Sequence, residues 1–424
     1  MRILVLGSGA REHAIILALG GEDAGHELFA APGNAGIADD ATLVPTLDQN
    51  DRRAVAQYAI DENIDLVVIG PEAPLVAGVA DALRKRGIPV FGPGKAAAQL
   101  EGSKSFAKRI MEAAGVPTGR ASRAHNRAEL DAALDAYGAP YVVKADGLAA
   151  GKGVIVTEDR AAAVAHAEAY LADGAVLVEE FLTGPEVSLF FLSDGDHVLP
   201  LSPAQDFKRA HDGDAGPNTG GMGAYSPLPW LAGAFGGEEE FVALVTREVA
   251  EPVIRQLDAE GTPFIGLLYA GLILTEAGVK VIEFNARFGD PETQVVLPRL
   301  VTPLSQLLMA AASGHLEDQP APQFAEAAAV TVVLASEGYP DAPVTGRAVE
   351  GLEAAASVEG VHLAHAATAA HGDGLIATGG RVLNVVALGN TFFEARDRAY
   401  RAIGEIRLEG SHHRTDIAAG VAEA

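Results

Sequence analysis

The run Val279-Lys280-Val281-Ile282-Glu283-Phe284-Asn285-Ala286-Arg287-Phe288-Gly289-Asp290-Pro291-Glu292 sets an acid, an amide and a base at every second position. Side chains on a strand alternate between faces, so Glu283, Asn285 and Arg287 share one face while Ile282, Phe284 and Ala286 take the other. A carboxylate and an amide at that spacing offer hard oxygens to magnesium, which keeps further positions for phosphate and water. Arg287, one step along, can grip a substrate carboxylate or a developing anion with its planar fork. The plain alternative is the wet face of an amphipathic strand, which would more naturally carry Thr and Lys.

Other stretches carry candidate chemistry. Lys144-Ala145-Asp146-Gly147-Leu148-Ala149-Ala150-Gly151-Lys152-Gly153 is one residue short of the phosphate-loop pattern, and Gly153 stands where that pattern needs a hydroxyl. It also joins two β-rich runs, not a strand and a helix. Two readings stay open. One is a hairpin that folds over nucleotide phosphates with the amides of Gly147, Gly151 and Gly153 and with Lys144 pointing inward; the other is an ordinary Gly-rich turn with a solvated Lys. Downstream, Val176-Leu177-Val178-Glu179-Glu180-Phe181-Leu182 breaks at Thr183-Gly184-Pro185-Glu186. Such a strand end suits an adenine slot, its backbone reading the base edge and Glu186 accepting from ribose hydroxyls. Adjacent glutamates are otherwise simply exposed.

Apolar periodicity lapses from Ser202 to Pro227, where acids, bases and Gly crowd together: Asp206, Lys208, Asp212 and Pro217-Asn218-Thr219-Gly220-Gly221-Met222-Gly223. Long loops inside compact domains are usually functional or disordered, and Met222 and Tyr225 speak against disorder. The first turn, Gly7-Ser8-Gly9-Ala10-Arg11-Glu12, invites a dinucleotide reading that fails. The third Gly of that fingerprint would stand at Glu12, and Ala31-Pro32-Gly33 occupies the place of its ribose-binding acid. A Gly-rich turn opening a helix can still hold a phosphate on free amides, with Arg11 adding charge, or be purely structural. His13 is expected to pack or cap, His211 to touch either substrate or solvent, and His412-His413 to lie on the surface.

These groups need a scaffold. Residues 1 to about 100 alternate strand-like runs (Ile3 to Leu6, Glu27 to Ala30, Leu66 to Ile69, Pro89 to Phe91) with helical patterns, which predicts parallel strands and crossover helices. From Glu101 a helix over Ser103 to Ala114 is followed by a hairpin of Tyr141 to Lys144 and Val154 to Thr157. His315 to Gln323 has linker composition. The last hundred residues open with a strand over Ala329 to Leu334 and close with a helix over Thr391 to Ile403.

Composition narrows the chemistry. The chain has no Cys, which excludes disulfides, thiolate metal sites and a cysteine nucleophile. The net charge of -26 reflects a shortage of bases: only eight of the 31 basic residues are Lys. Such a charge repels nucleic acid and anionic membranes, so phosphate substrates would require local basic clusters. The apolar start ends at Gly7, before Arg11, Glu12 and His13, and no apolar run approaches ~18 residues; a soluble cytoplasmic chain is expected.

Taken together, these residues resemble the ATP-grasp ligases and, within them, the phosphoribosylamine-glycine ligase family. The most specific pieces are Gly7-Ser8-Gly9-Ala10-Arg11-Glu12-His13, Gly216-Pro217-Asn218-Thr219-Gly220-Gly221-Met222-Gly223 and Asn285-Ala286-Arg287-Phe288-Gly289-Asp290-Pro291-Glu292-Thr293-Gln294, with Gly379-Gly380-Arg381-Val382-Leu383 and Arg414-Thr415-Asp416-Ile417 near the end. Ala10 and Phe207 depart from the family pattern. The resemblance implies a multidomain α/β and α+β chain with an ATP-grasp fold: an amino-terminal parallel α/β (pre-ATP-grasp) substrate-binding domain at 1–101, an ATP-grasp domain at 102–314 with a lid at about 120–190, and a β-rich carboxy-terminal α/β domain at 325–424.

It further implies ATP held by Lys104, Lys144, Gly147, Gly151, Gly153, Glu179, Glu180, Phe181, Leu182 and Glu186, and Mg2+ or Mn2+ on Glu283 and Asn285. Arg287, Asp212 and Lys144 would be catalytic. Gly9, Arg11, Glu12, Asp206, Lys208, Asp212, Pro217 to Gly223, Arg287, Gly289 and Asp290 would bind glycine and 5-phosphoribosylamine. The implied reaction is ATP-dependent formation of glycinamide ribonucleotide through glycyl phosphate in purine synthesis, by a monomer with no nucleic-acid or membrane partner. Rival readings are another ATP-grasp carboxylate ligase, a dinucleotide-dependent oxidoreductase and a non-catalytic nucleotide-sensing module.

Overall fold

The computed structural model describes residues 1–148, 153–172 and 174–423. The first hundred residues form a five-stranded parallel sheet in the order Thr42–Leu43, Glu27–Pro32, Arg2–Gly7, Leu66–Ile69, Val90–Phe91. Arg2–Gly7 is central and covered on both faces, so its sequence reads as a continuous apolar run with no alternation. The helix Ala10–Gly20 packs Ile15, Ile16 and Leu19 into the core beside it.

The expected helix begins at Lys104 and ends at Ala114. The Ser103 hydroxyl accepts from Phe106 N (3.1 Å), and Gly115, at φ +69, closes it in a conformation that favours glycine. Beyond it lies a four-stranded antiparallel sheet, Ala121–Ala124, Val176–Glu179, Tyr141–Ala145, Val154–Thr157. The pairing of Tyr141 with Thr157 through Lys144 with Val154 is the expected hairpin. This sheet and the helices Arg127–Tyr137 and Arg160–Leu171 bury a core of their own around Leu130, Val143, Val164 and Val178.

The central sheet is antiparallel, in the order Val198–Pro200, Glu186–Asp194, Ile265–Thr275, Gly278–Asn285. Gly271 pairs with Glu283 but Leu272 with Val281, so Ile282 is the extra residue of a β-bulge. The bulge corrects one sequence expectation. Val281, Phe284 and Ala286 enter the core, whereas Ile282 turns to the same side as Glu283 and lines a cleft.

The polar stretch expected as a long loop is largely paired. It supplies Gln205–Asp206, a ribbon of Arg209–His211 with Ala215–Asn218, and Gly223–Ser226. Gln205–Asp206 and Gly223–Ser226 extend the carboxy-terminal sheet, whose remaining strands are Ala328–Ala335, Arg381–Gly389 and Val361–His365. That sheet therefore spans the 315–323 segment and ties the middle of the chain to its end. Among the described residues no helix is long and apolar enough to cross a membrane.

Candidate active site

A cleft of about 500 Å3 opens where the lid sheet, the central sheet, the first turn and the carboxy-terminal segment meet. At its lid end Lys144 meets Glu179 on the neighbouring strand at 2.9 Å, and Lys108 shares that carboxylate at 3.4 Å. Lys144 also donates to Ile282 O (3.4 Å), a carbonyl at the bulge. Lys104 donates to Gly147 O (3.2 Å). Burial pulls Lys104 and Lys108 below the ordinary ammonium value, chiefly against the attraction of Glu283 for the first and Glu179 for the second.

In the middle of the cleft, the side chains of Glu283 and Asn285 have no hydrogen-bond partner among the described residues. Burial pushes the Glu283 carboxyl up, yet Lys208, Lys144, Lys104 and Arg287 together hold it below the ordinary value. An ionised, unpartnered carboxylate beside a free amide fits Mg2+ or Mn2+. No cluster of three His, Asp or Glu side chains suited to a metal occurs among the described residues. Two protein oxygens would leave the other positions to phosphate and water.

Past Asn285 the cleft turns to guanidinium chemistry. Arg287 is braced by Glu101 (2.9 Å) and Glu72 (3.4 Å), and Glu101 also accepts from Ala286 N (2.8 Å). Burial alone would lower Arg287; the two carboxylates outweigh it and raise it. Asp290 stands 3.2 Å from Arg381 and 4.0 Å from Arg11, which hold it below the ordinary value against burial. Lys208 pairs with Glu186 (2.6 Å) and lies 3.6 Å from Asp206, whose carboxyl burial pushes up. Ser188 Oγ links the Tyr269 hydroxyl (2.8 Å) to Glu292 (3.0 Å) in the buried wall.

Three domain profiles of one family match the chain: the phosphoribosylglycinamide synthetase N domain at residues 1–101, the ATP-grasp (A) domain at 102–293 and the C domain at 329–420. The chain belongs to the phosphoribosylglycinamide synthetase family. A relative from Leifsonia xyli subsp. xyli, named phosphoribosylamine–glycine ligase, is 69% identical over 421 residues, covering 99% of this chain and 100% of the relative. One of the same name from Streptomyces coelicolor is 58% identical over 426 residues and covers 100% of both. The crystal structure of phosphoribosylamine–glycine ligase from Thermotoga maritima matches with a TM-score of 0.82 at 32% identity, over 98% of this chain and 100% of that one. The family's architecture is the one described above, an ATP-grasp core between a parallel amino-terminal sheet and a β-rich carboxy-terminal domain.

Of the residues expected from the sequence, the cleft gathers Lys104, Lys144, Gly147, Gly153, Glu179, Asp206, Lys208, Thr219, Gly220, Glu283, Asn285, Arg287, Gly289, Asp290 and Arg11. Gly151, with its neighbour Lys152, lies outside the described residues. Glu180 turns to Arg120 (2.7 Å) and Lys280 (3.2 Å), Phe181 is an exposed ring, and Leu182 packs near Gly119. Glu186 reaches the cleft only through Lys208.

Several expectations need correction. Asp212 is exposed, and its carboxylate accepts from Thr415 N (2.7 Å) and the Thr415 hydroxyl, so it fastens a surface turn to the end of the chain and does not line the cleft. Pro217 and Asn218 belong to the outer ribbon. Gly221, Met222 and Gly223 are buried packing positions: a Cβ on Gly221 would strike Pro291 at 2.3 Å, and one on Gly223 would strike Thr331 O at 2.6 Å. In the first turn, Gly9 N donates to Glu12 Oε2 (2.6 Å), so the chain's own carboxylate sits where a substrate anion was expected. Glu12 is 3% exposed and raised by burial, and a Cβ on Gly70 would meet it at 2.1 Å.

Sequence reasoning missed Glu72, Glu101, Lys108, Tyr269, Tyr339 and Arg381, all of which line the cleft. Lys108 was findable, since it lies one helical turn from Lys104 on the same face. Arg381 stood in a run noted only as a signature of the carboxy-terminal domain.

Proposed function

We propose that this chain joins glycine to 5-phosphoribosylamine with ATP, giving glycinamide ribonucleotide, ADP and phosphate through glycyl phosphate, as a step of purine synthesis. The names of its full-length relatives support the reaction. The observation that carries the mechanism is the order of charge beside the strand Gly278–Asn285: lysines at the lid end, then Glu283 and Asn285, then Arg287. Phosphates, metal and substrate carboxylate must follow one another in that sequence for in-line transfer.

ATP lies between the lid and central sheets, with Lys144 and Lys104 on its phosphates, the backbone of Glu179 to Leu182 on the adenine edge and Glu186 on the ribose. Glu283 and Asn285 would hold Mg2+ or Mn2+, which supplies neutralising charge and orients phosphate oxygens when bound. Arg287, aimed by Glu101 and Glu72, holds the glycine carboxylate in line with the γ-phosphate. A carboxylate oxygen attacks that phosphorus, ADP leaves, and the lysines stabilise the spreading charge. The amine then attacks the acyl carbon, the C–N bond forms as the C–O bond to phosphate breaks, and the nitrogen loses a proton. Arg11, Asp206, Lys208, Thr219, Gly220, Gly289 and Asp290 orient the two smaller substrates. Closure of the lid at about 120–190 excludes water from an acyl phosphate that would otherwise hydrolyse.

In this reading residues 1–101 bind substrate, 102–314 bind ATP and 325–424 close the cleft. The protein is a cytoplasmic monomer without nucleic-acid or membrane partners. ADP release that requires ATP, glycine and an amine acceptor together, with freshly made phosphoribosylamine as the acceptor, is the expected result. Turnover with bicarbonate or formate in place of glycine would reject the assignment. Glycine labelled with oxygen-18 in its carboxylate should pass one label to inorganic phosphate, and unlabelled phosphate would exclude the acyl-phosphate route.

A further inference from the structure

Arg381 reaches the cleft from the first position of the carboxy-terminal strand Arg381–Gly389. Its guanidinium donates to Gly220 O (2.5 Å) and Asp290 O (2.8 Å) and meets the Asp290 carboxylate at 3.2 Å. Tyr339, from the same part of the chain, accepts from Gly220 N through its hydroxyl (2.9 Å). Both backbone groups of Gly220 are thus held from the carboxy-terminal segment.

The fit leaves no spare room. A Cβ on Gly220 would lie 2.8 Å from Arg381 Cζ, and one on Gly380 would lie 2.2 Å from the Tyr339 ring. Gly221 adopts φ +108 with Pro291 against it. Gly220, Gly221 and Gly380 are therefore required by a junction between loops, whatever else touches them.

The junction also has a place in the reaction. Lys144 touches the central sheet at Ile282, and Asn285 is three residues on, about 10 Å along an extended strand. Nucleotide, metal and acyl group fill that stretch and the adjoining Arg287 on the ligase reading, on which this inference rests. Gly220, Asp290 and Arg381 are left to face the remaining substrate, the amine.

We propose that Arg381 and Tyr339 are positioning residues for the amine substrate, fixing the Gly220 peptide against the Asp290 loop so that the carboxy-terminal domain serves the second half-reaction and not the first. A planar guanidinium is suited to this because Nη1 serves the carbonyls of two loops while Nη2 meets the Asp290 carboxylate in the same rigid plane, a geometry that a rotating ammonium does not fix.

The two half-reactions separate the idea from a merely structural role. The full chain and its R381A, R381K and Y339F variants are assayed for glycine-dependent ADP release with hydroxylamine, a small nucleophile that reports acyl phosphate, and with freshly made phosphoribosylamine. With hydroxylamine all variants should stay within about twofold of the parent, because the acyl-forming groups are untouched. With phosphoribosylamine, kcat/KM of R381A should fall roughly ten- to a hundredfold, the scale of a lost charge-assisted hydrogen bond, with R381K intermediate. Y339F keeps the ring against Gly380 and should fall a few-fold, so it decides the matter if R381A folds poorly. Equal losses with both nucleophiles, or no loss with either, overturn the proposal. A parent enzyme active with phosphoribosylamine but not with hydroxylamine overturns the separation of half-reactions and the proposal with it, whereas one that releases no glycine-dependent ADP with either nucleophile refutes the ligase reading beneath it.

Discussion

Replacing Arg287 with Met tests the charge arrangement independently of any assay of activity. The Arg287 side chain is 18% exposed and that of Glu101 8%, so the substitution strands a carboxylate in a nearly dry site. Removing one partner of such a pair costs about 3–5 kcal/mol. Burial already raises Glu101 above its ordinary value, with Arg287 as the main opposing influence, and losing Arg287 must raise it further. A carboxyl raised in the folded state binds its proton more tightly there than in the unfolded chain. Stability therefore falls as pH rises from the unfolded value of about 4.5 through the folded one. The R287M variant should be least impaired near pH 5 and most impaired near pH 8. R287M/E101Q, which removes the more buried of the two stranded carboxylates and leaves the more exposed Glu72, should recover about 1–3 kcal/mol near pH 8 and flatten the slope. Urea unfolding followed by the single tryptophan, Trp230, reads both effects. A loss independent of pH, or a double variant no better than the single one, would refute the reasoning.

Two further outcomes are expected. E283Q should lower turnover at least about a hundredfold, as expected for a group on which transition-state charge depends, and shift the melting temperature by no more than about 3 °C because no described hydrogen bond is broken; an active variant would unseat the metal face. His362 and His365 are pulled down to about 4, first by burial and then by His13, so the native state binds fewer protons than the unfolded chain between about 6.5 and 4. Stability is lost as pH falls through that window, and H362Q/H365Q should flatten the fall in melting temperature; an unchanged slope would exclude both histidines as its cause.

What could be read from the sequence was what depends on neighbours along the chain. The face shared by Glu283, Asn285 and Arg287 follows from strand geometry alone, as does the hairpin that carries Lys144. The bulge at Ile282 does not, because it is set by register against Ile265–Thr275. Asp206 and Tyr225 sit in strands that carry too few apolar residues to show a period; what defines those strands is backbone pairing with distant partners. Glu12 illustrates a local signal with two meanings. An acid three residues after Gly9 suits both an anion site and a self-capping turn, and only the depth of the turn decides between them. Arg381 and Glu101 reach Asp290 and Arg287 across 91 and 186 residues of chain, a distance over which spacing carries no information.

The charge of the whole chain and the charge of the cleft obey different logic. Most cations in the cleft already have a carboxylate: Lys144 and Lys108 share Glu179, Lys208 has Glu186, Arg287 has Glu101 and Glu72, and Arg381 has Asp290. At an effective dielectric near 20, two unit charges about 4 Å apart attract by about 4 kcal/mol, so drawing a lysine from its carboxylate to a phosphate is close to an even exchange. Such pairs keep an acidic protein from presenting a bare cationic well, but they contribute little net affinity. The unmatched charges are different. Among the described residues Lys104 makes no ion pair within 4 Å, only a carbonyl contact at 3.2 Å beside the longer attraction of Glu283, and the Glu283 side chain has no hydrogen-bond partner. A phosphate satisfies the first and a divalent cation the second, with no existing ion pair to break. The metal–nucleotide complex therefore gives each of them a direct partner at once, whereas either component alone leaves one with only the longer-range attraction of its neighbours.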